Sequence, residues 1–83
     1  MNKKMIVKNA LGKVVYCVLS SEEDYEEQLK KVFGIVPGQG FTVEIWGKEI
    51  RYIDYFHGET RAKFDILSME DTELPVELNW KNI

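Results

Sequence analysis

Phe41-Thr42-Val43-Glu44-Ile45-Trp46-Gly47-Lys48-Glu49-Ile50-Arg51-Tyr52-Ile53-Asp54-Tyr55 is the passage that decides the fold. Apolar and polar residues alternate on both sides of Gly47-Lys48, the period of a strand with one buried face. Glycine at the first position of a two-residue loop supplies the positive φ that a type II′ turn demands. That turn fixes a register in which Ile45 faces Ile50 and Val43 faces Tyr52 on one side of the sheet. On the other side Glu44 meets Arg51 and Thr42 meets Ile53. Apolar pairs and an opposite-charge pair agreeing in one register specify a hairpin, because a slip by one residue would invert every side chain.

Working outward, a further strand, Arg61-Ala62-Lys63-Phe64-Asp65-Ile66-Leu67, follows a turn at Phe56-His57-Gly58 with Gly58 left-handed. It extends the same core face by placing Tyr52 opposite Ala62 and Ile50 opposite Phe64. It also sets Arg51 against Lys63 and Glu49 against Asp65, a repulsion that diagonal Glu49–Lys63 and Arg51–Asp65 pairs would soften. Upstream, Ser20-Ser21-Glu22-Glu23 fits a capping box with Ser20 as N-cap. Acids at the start and Lys30-Lys31 at the end suit the helix dipole. Tyr25, Leu29, Val32 and Phe33 form one apolar stripe, and Glu26–Lys30 and Glu27–Lys31 are i,i+4 pairs. Gly34 fits the left-handed position after the helix, with Ile35 folding back onto Leu29, and Val36-Pro37-Gly38-Gln39 reads as a type II turn.

Two β-rich runs open the chain, Met5–Lys8 and Val14–Leu19. A three-residue loop, Ala10-Leu11-Gly12, would pair Val7 with Val15 and Met5 with Cys17, leaving Ile6 and Tyr16 on the opposite face. The second run is apolar on both faces, which places it inside the sheet. At the other end Val76, Leu78 and Trp80 alternate with Glu77 and Asn79, a short strand after Pro75. The order ββαβββ, with a possible extra strand at the C-terminus, predicts an α+β fold. It has one antiparallel-rich sheet and one helix packed on a single face, and a β-grasp-like arrangement is one form of it.

The chain has 83 residues, 45% apolar and 30% charged, with a net charge of −3. That is one domain, residues 1–83, with a single core. The mild negative charge argues against a general nucleic-acid binder. One cysteine and one histidine exclude a disulfide framework and every zinc motif built on several Cys or His. No apolar run reaches the ~18–20 residues of a membrane span, and the lysine-rich start is not a secretory signal, so a cytoplasmic protein is expected.

Individual side chains point mostly to ordinary roles. Cys17 lies in the Val14–Leu19 run with no local base to activate a thiol, and reads as core. His57 has Asp54 and Glu59 near it in sequence, which could orient a general base, but it sits at a turn without a nucleophile beside it. No Gly-rich phosphate loop precedes a helix. The acids at Glu22–Glu27 stabilise a helix start. Those at Glu70, Asp71, Glu73 and Glu77 have no such reason and are expected in a solvated loop, where they would steer a basic partner. Arg51, Arg61 and Lys63 beside Trp46 and Tyr55 suggest a base-stacking sheet, but Glu44, Glu49 and Asp65 share that face and would repel phosphates.

Trp46, Ile53 and Tyr55 remain: they point away from the core face and form an expected aromatic ledge, unless the C-terminal strand covers it. The reading is a small non-enzymatic protein-interaction module. An inhibitor or accessory protein of a phage or mobile element would fit. It would bind a larger macromolecule through Trp46, Arg51, Ile53 and Tyr55, with Glu70, Asp71 and Glu73 for steering. The expected partner is a protein, with nucleic-acid-binding proteins among the candidates. The alternatives are a homodimer and, last, a single-stranded nucleic-acid binder. No catalytic residue, metal, cofactor or membrane contact is expected.

Overall fold

The computed structural model describes residues 1–83. Its elements are β1 (Asn2–Lys8), β2 (Val14–Leu19), α1 (Tyr25–Val32), β3 (Phe41–Trp46), β4 (Glu49–Asp54), β5 (Glu59–Thr72) and β6 (Glu77–Asn82). The strands form one six-stranded sheet in the order β3-β4-β5-β1-β2-β6, and every pairing is antiparallel. The α+β class with one helix is what the sequence predicts, and the explicit strand order is more specific than a β-grasp-like reading.

The local pairings follow the turns. In the β3–β4 hairpin Ile45 faces Ile50 and Glu44 faces Arg51. Gly47 takes φ +64° and no non-glycine residue has a positive φ, the signature of a II′ loop. Met5 faces Cys17 and Val7 faces Val15 in the first hairpin. Tyr52 faces Ala62 and Ile50 faces Phe64 between β4 and β5.

β5 departs from expectation. It does not stop at Leu67 but runs to Thr72, and its second half pairs with β1: Glu70 opposite Lys4 and Asp71 opposite Lys3. The acidic stretch expected as a solvated loop is thus partly a strand, held by the basic strand that opens the chain. A register shift at Ile6/Val7 leaves Leu67 outside the ladder and half exposed.

The helix begins later than the Ser20 box implies. Asp24 is the N-cap, and its carboxylate accepts from the Glu27 N–H at 3.0 Å. The reason lies in Gln28, which is buried. Its Oε1 accepts from Ser20 N at 2.7 Å, and its Nε2 donates to Ser20 O at 2.9 Å and Glu23 O at 3.2 Å. That clasp holds Ser20–Glu23 as a loop outside the helix. Of the expected helical ion pairs, Lys30 meets Glu27 at 2.7 Å instead of Glu26. The C-terminal end is as expected: Gly34 N donates to Lys31 O and Ile35 N to Lys30 O, a Schellman motif with Gly34 at φ +71°.

The core lies between α1 and the sheet. Met5, Val7, Val15, Cys17, Leu19 and Leu29 are buried there with Val43 and Ile50. The helix touches β2, β3 and β6, and the last two are opposite ends of the strand order. The sheet is therefore coiled around the helix. Phe33 stands at the centre, with its ring 5.9 Å from Tyr52, 5.0 Å from Phe64 and 5.6 Å from Trp80. Leu78 and Trp80 pack on this helix-side core, so β6 does not cover the outer face. Leu74, Pro75 and Glu77 border Tyr16 and Val18 there.

Replacing the Gln28 clasp is expected to be more damaging than replacing the cap. Gln28→Ala strands part-buried backbone groups and should cost about 1–3 kcal/mol. Asp24→Ala should cost about 0.5–2 kcal/mol, and Ser20→Ala should not reproduce it. Urea denaturation of the three variants checks the order; an unchanged midpoint for Gln28→Ala would remove the clasp from this account.

Candidate functional site

The outer face of the β3–β4 hairpin carries the half-exposed Trp46. Strand parity directs Trp46 and Arg51 to that face, away from Ile45 and Ile50. The Arg51 guanidinium lies over the Trp46 ring, 4.0 Å from its centroid. Each member is braced by an acid. Trp46 Nε1 donates to Glu44 Oε1 at 2.8 Å, and Arg51 Nε donates to Glu49 Oε1 at 2.8 Å. The expected Glu44–Arg51 pair exists as a register match only, because Glu44 serves the indole and Glu49 serves the guanidinium. The diagonal Glu49–Lys63 and Arg51–Asp65 pairs do not form either, because Glu49 and Arg51 bind each other. Trp46 remains 52% exposed. Ile53 lies next to Arg51 on the same face and is half buried.

Tyr55 is not part of this patch. It lies six residues beyond Glu49, the partner of Trp46, so at a rise of about 3.3 Å per residue the two aromatics are about 20 Å apart. Its N–H donates to Gly40 O, its ring packs on Phe56 at 5.0 Å, and it borders a groove beside Lys30, Lys31 and Phe41. The ledge inferred from sequence is thus two sites at opposite ends of one hairpin. Phe56 belongs with Tyr55: its ring lies where a Cβ on Gly40 would be, at 2.2 Å.

The acids expected to steer a partner are distributed differently. Asp71 forms an ion pair with Lys3 on β1, which holds its carboxyl below the usual range and raises the Lys3 ammonium. Glu70 lies across from Lys4, whose Nζ lies 4.6 Å over the Tyr16 ring. Glu73 is exposed in the β5–β6 connection.

His57 and Asp54 do meet. Asp54 is buried at the end of β4 and accepts from His57 Nδ1 at 2.7 Å, from His57 N at 3.2 Å and from Arg61 Nη2 at 2.7 Å. Those bonds, His57's foremost, hold the Asp54 carboxyl down at about 2. The arrangement ties the turn at residues 55–58 to the bulged start of β5. None of the three surface grooves is lined by His57, and Glu59 approaches Arg61 instead, at 3.6 Å. The Cys17 thiol is buried in the core, which pushes it up to about 12 and leaves it protonated at neutral pH. No group of three or more His, Cys, Asp or Glu side chains is placed to hold a metal ion. No helix is long and apolar enough to cross a membrane.

Set beside known protein families, curated proteins and solved structures, the chain matches none of them. The residues themselves therefore carry the functional reading.

Because its folded value is about 2, below the ordinary 3.8, Asp54 contributes stability above pH ~4 and loses it as the pH falls toward ~2. The wild type should lose thermal stability over that window more steeply than Asp54→Asn, in which the titrating group is gone. Parallel slopes in melting temperature against pH would show that the Asp54 clasp contributes nothing.

Proposed function

We propose that the protein is a non-enzymatic interaction module that docks on a larger protein through Trp46, Arg51 and Ile53 on the outer face of the β3–β4 hairpin. Such a module acts by occupying a surface, the mode of an inhibitor or accessory protein. The observation that carries this reading is the Arg51 guanidinium stacked 4.0 Å from the half-exposed Trp46 ring, with an acid bracing each partner. Tryptophan and arginine are the residues most enriched at binding hot spots. A side chain already held in one rotamer loses less entropy on docking, so the braces favour affinity. The stack itself contributes only about 0.5–1 kcal/mol at an exposed site, so stability alone gives little reason to leave a large indole in water.

The pairing of Asp54 with both Arg61 and His57, and the burial of Cys17, support a binding role over a catalytic one. The outer face also alternates acids with bases, which suits a protein surface better than a phosphate backbone.

Trp46→Ala and Arg51→Ala should each weaken capture of the partner from source lysate by about 2 kcal/mol or more, roughly thirtyfold. Both should stay folded, with emission from the core Trp80 unchanged in the first variant. Equal capture by Trp46→Ala and wild type would overturn the reading. So would a wild-type dimer in sedimentation that the same substitution disperses, since the patch would then serve self-association.

A further inference from the structure

A second opening lies where the sheet is incomplete. β4 pairs with β5 only as far as Glu49 opposite Asp65, and the Ile66 N–H ends that side by donating to Lys48 O at 2.7 Å. β5 continues to Thr72 with β1 on its other side, so Leu67–Thr72 have no strand beside them on the β4 side. The helix packs on β2, β3 and β6 and not on β5. Asn9 N donates to Lys13 O across the first hairpin. That phase turns the backbone groups of Lys3, Met5 and Val7 toward β2, and those of Asn2, Lys4 and Ile6 toward β5. The last three meet Thr72, Glu70 and Ser68. By alternation the N–H and C=O of Met69 and Asp71 face the open side, with no strand to pair them. This edge is reachable. Ile66, Leu67, Ser68 and Met69 all line a groove of ≈ 410 Å³, Leu67 is 52% exposed and Asp71 is exposed. Tyr25 from the helix and Ile45 from β3 add to the apolar lining. Lys48 is the only charged residue of that lining, and it is exposed and pairs with no carboxylate.

We propose that this slot binds the C-terminal end of a partner polypeptide, added antiparallel to β5 with its terminal carboxylate at Lys48. A strand placed there lies in line with β4, and the Gly47-Lys48 turn closes the slot at one end. A closed end suits a chain terminus better than a chain passing through. Charge then sets the direction. An antiparallel chain runs as β4 does and brings its carboxylate to the Lys48 ammonium, whereas a parallel one would bring a repelled amino group. No acid lines the groove to compete for Lys48. Backbone bonds to Met69 and Asp71 hold the added segment, and an apolar side chain near its end fills the groove beside Leu67 and Met69. The site is independent of Trp46, which does not line it.

A synthetic library of random hexapeptides with free C-termini, screened against the whole chain, provides the probe. The selected peptides should end in apolar residues and shift the amide resonances of Lys48, Leu67, Met69 and Asp71. Resynthesis as C-terminal amides should weaken them roughly tenfold or more, because a charged hydrogen bond is lost. Lys48→Ala, a change at an exposed turn, should weaken the free acids as much and the amides hardly at all. N-methylation of the peptide should weaken binding roughly fivefold or more at every second residue and not at those between, the signature of a paired strand. Trp46→Ala should leave binding unchanged, so this proposal and the Trp46 reading fail separately. The proposal is overturned if no peptide is selected, if acids and amides bind alike, if N-methylation shows no alternation, or if the shifts centre on Trp46. It is also overturned if a second copy fills the slot, seen as a concentration-dependent dimer that the peptides dissociate.

Discussion

Phe33 is the contact on which the rest of the fold depends. An eight-residue helix is about 12 Å long and about 10 Å across, whereas six flat strands would span about 24 Å. A flat sheet would leave most of its apolar face in water. Coiling brings both outer strands to the helix, and Phe33, at the helix end, meets rings from β4, β5 and β6 at once. Only 12 of 83 residues are buried, so a single helical turn joins much of the core. The coil also explains how Trp80 on one outer strand comes within 6.0 Å of Phe64, three strands away in the order.

What could be read from the sequence follows from this geometry. Each hairpin is specified by neighbours in the chain: a period of two, and a glycine where φ must be positive. The pairings of Met5 with Cys17, Ile45 with Ile50 and Tyr52 with Ala62 follow from those signals alone. The β1–β5 pairing joins residues such as Lys3 and Asp71, and nothing local signals it. Without that partner, Ser68–Thr72 reads as polar loop. The Ser20–Glu23 box misplaces the helix start, whereas the structure has Asp24, four residues on, as the cap. Gln28 decides the start, and its burial has no sequence signature. At the candidate site, strand parity located Trp46 and Arg51. Parity could not place Tyr55, because the ladder continues only as far as Gly40 before Phe56 turns the chain.

The same long-range pairing changes the electrostatic picture. In the sequence, lysines gather at one end and acids at the other, which suggests separate charged regions. In the fold these two runs lie side by side, with Lys3 on Asp71 and Lys4 across from Glu70. Their charges screen each other inside the chain, so long-range steering by the C-terminal acids is weak. In the proposed docking, short-range features such as the Trp46–Arg51 stack would then carry recognition.

The candidate surface lies on the outer side of the β3–β4 hairpin, and its separation from the core is physical. Ile45, Ile50 and Val43 face the helix, so the outer side chains of the same strands can change without opening a cavity. The free edge is a different matter. An exposed strand edge invites pairing with any extended chain, and proteins blunt such edges with charge or cover. Here Glu26 blocks one half of β3, and a register shift between Tyr16 and Val18 disturbs β6, the other outer strand. The other half of β3 is closed as well, since Val43 is only 1% exposed.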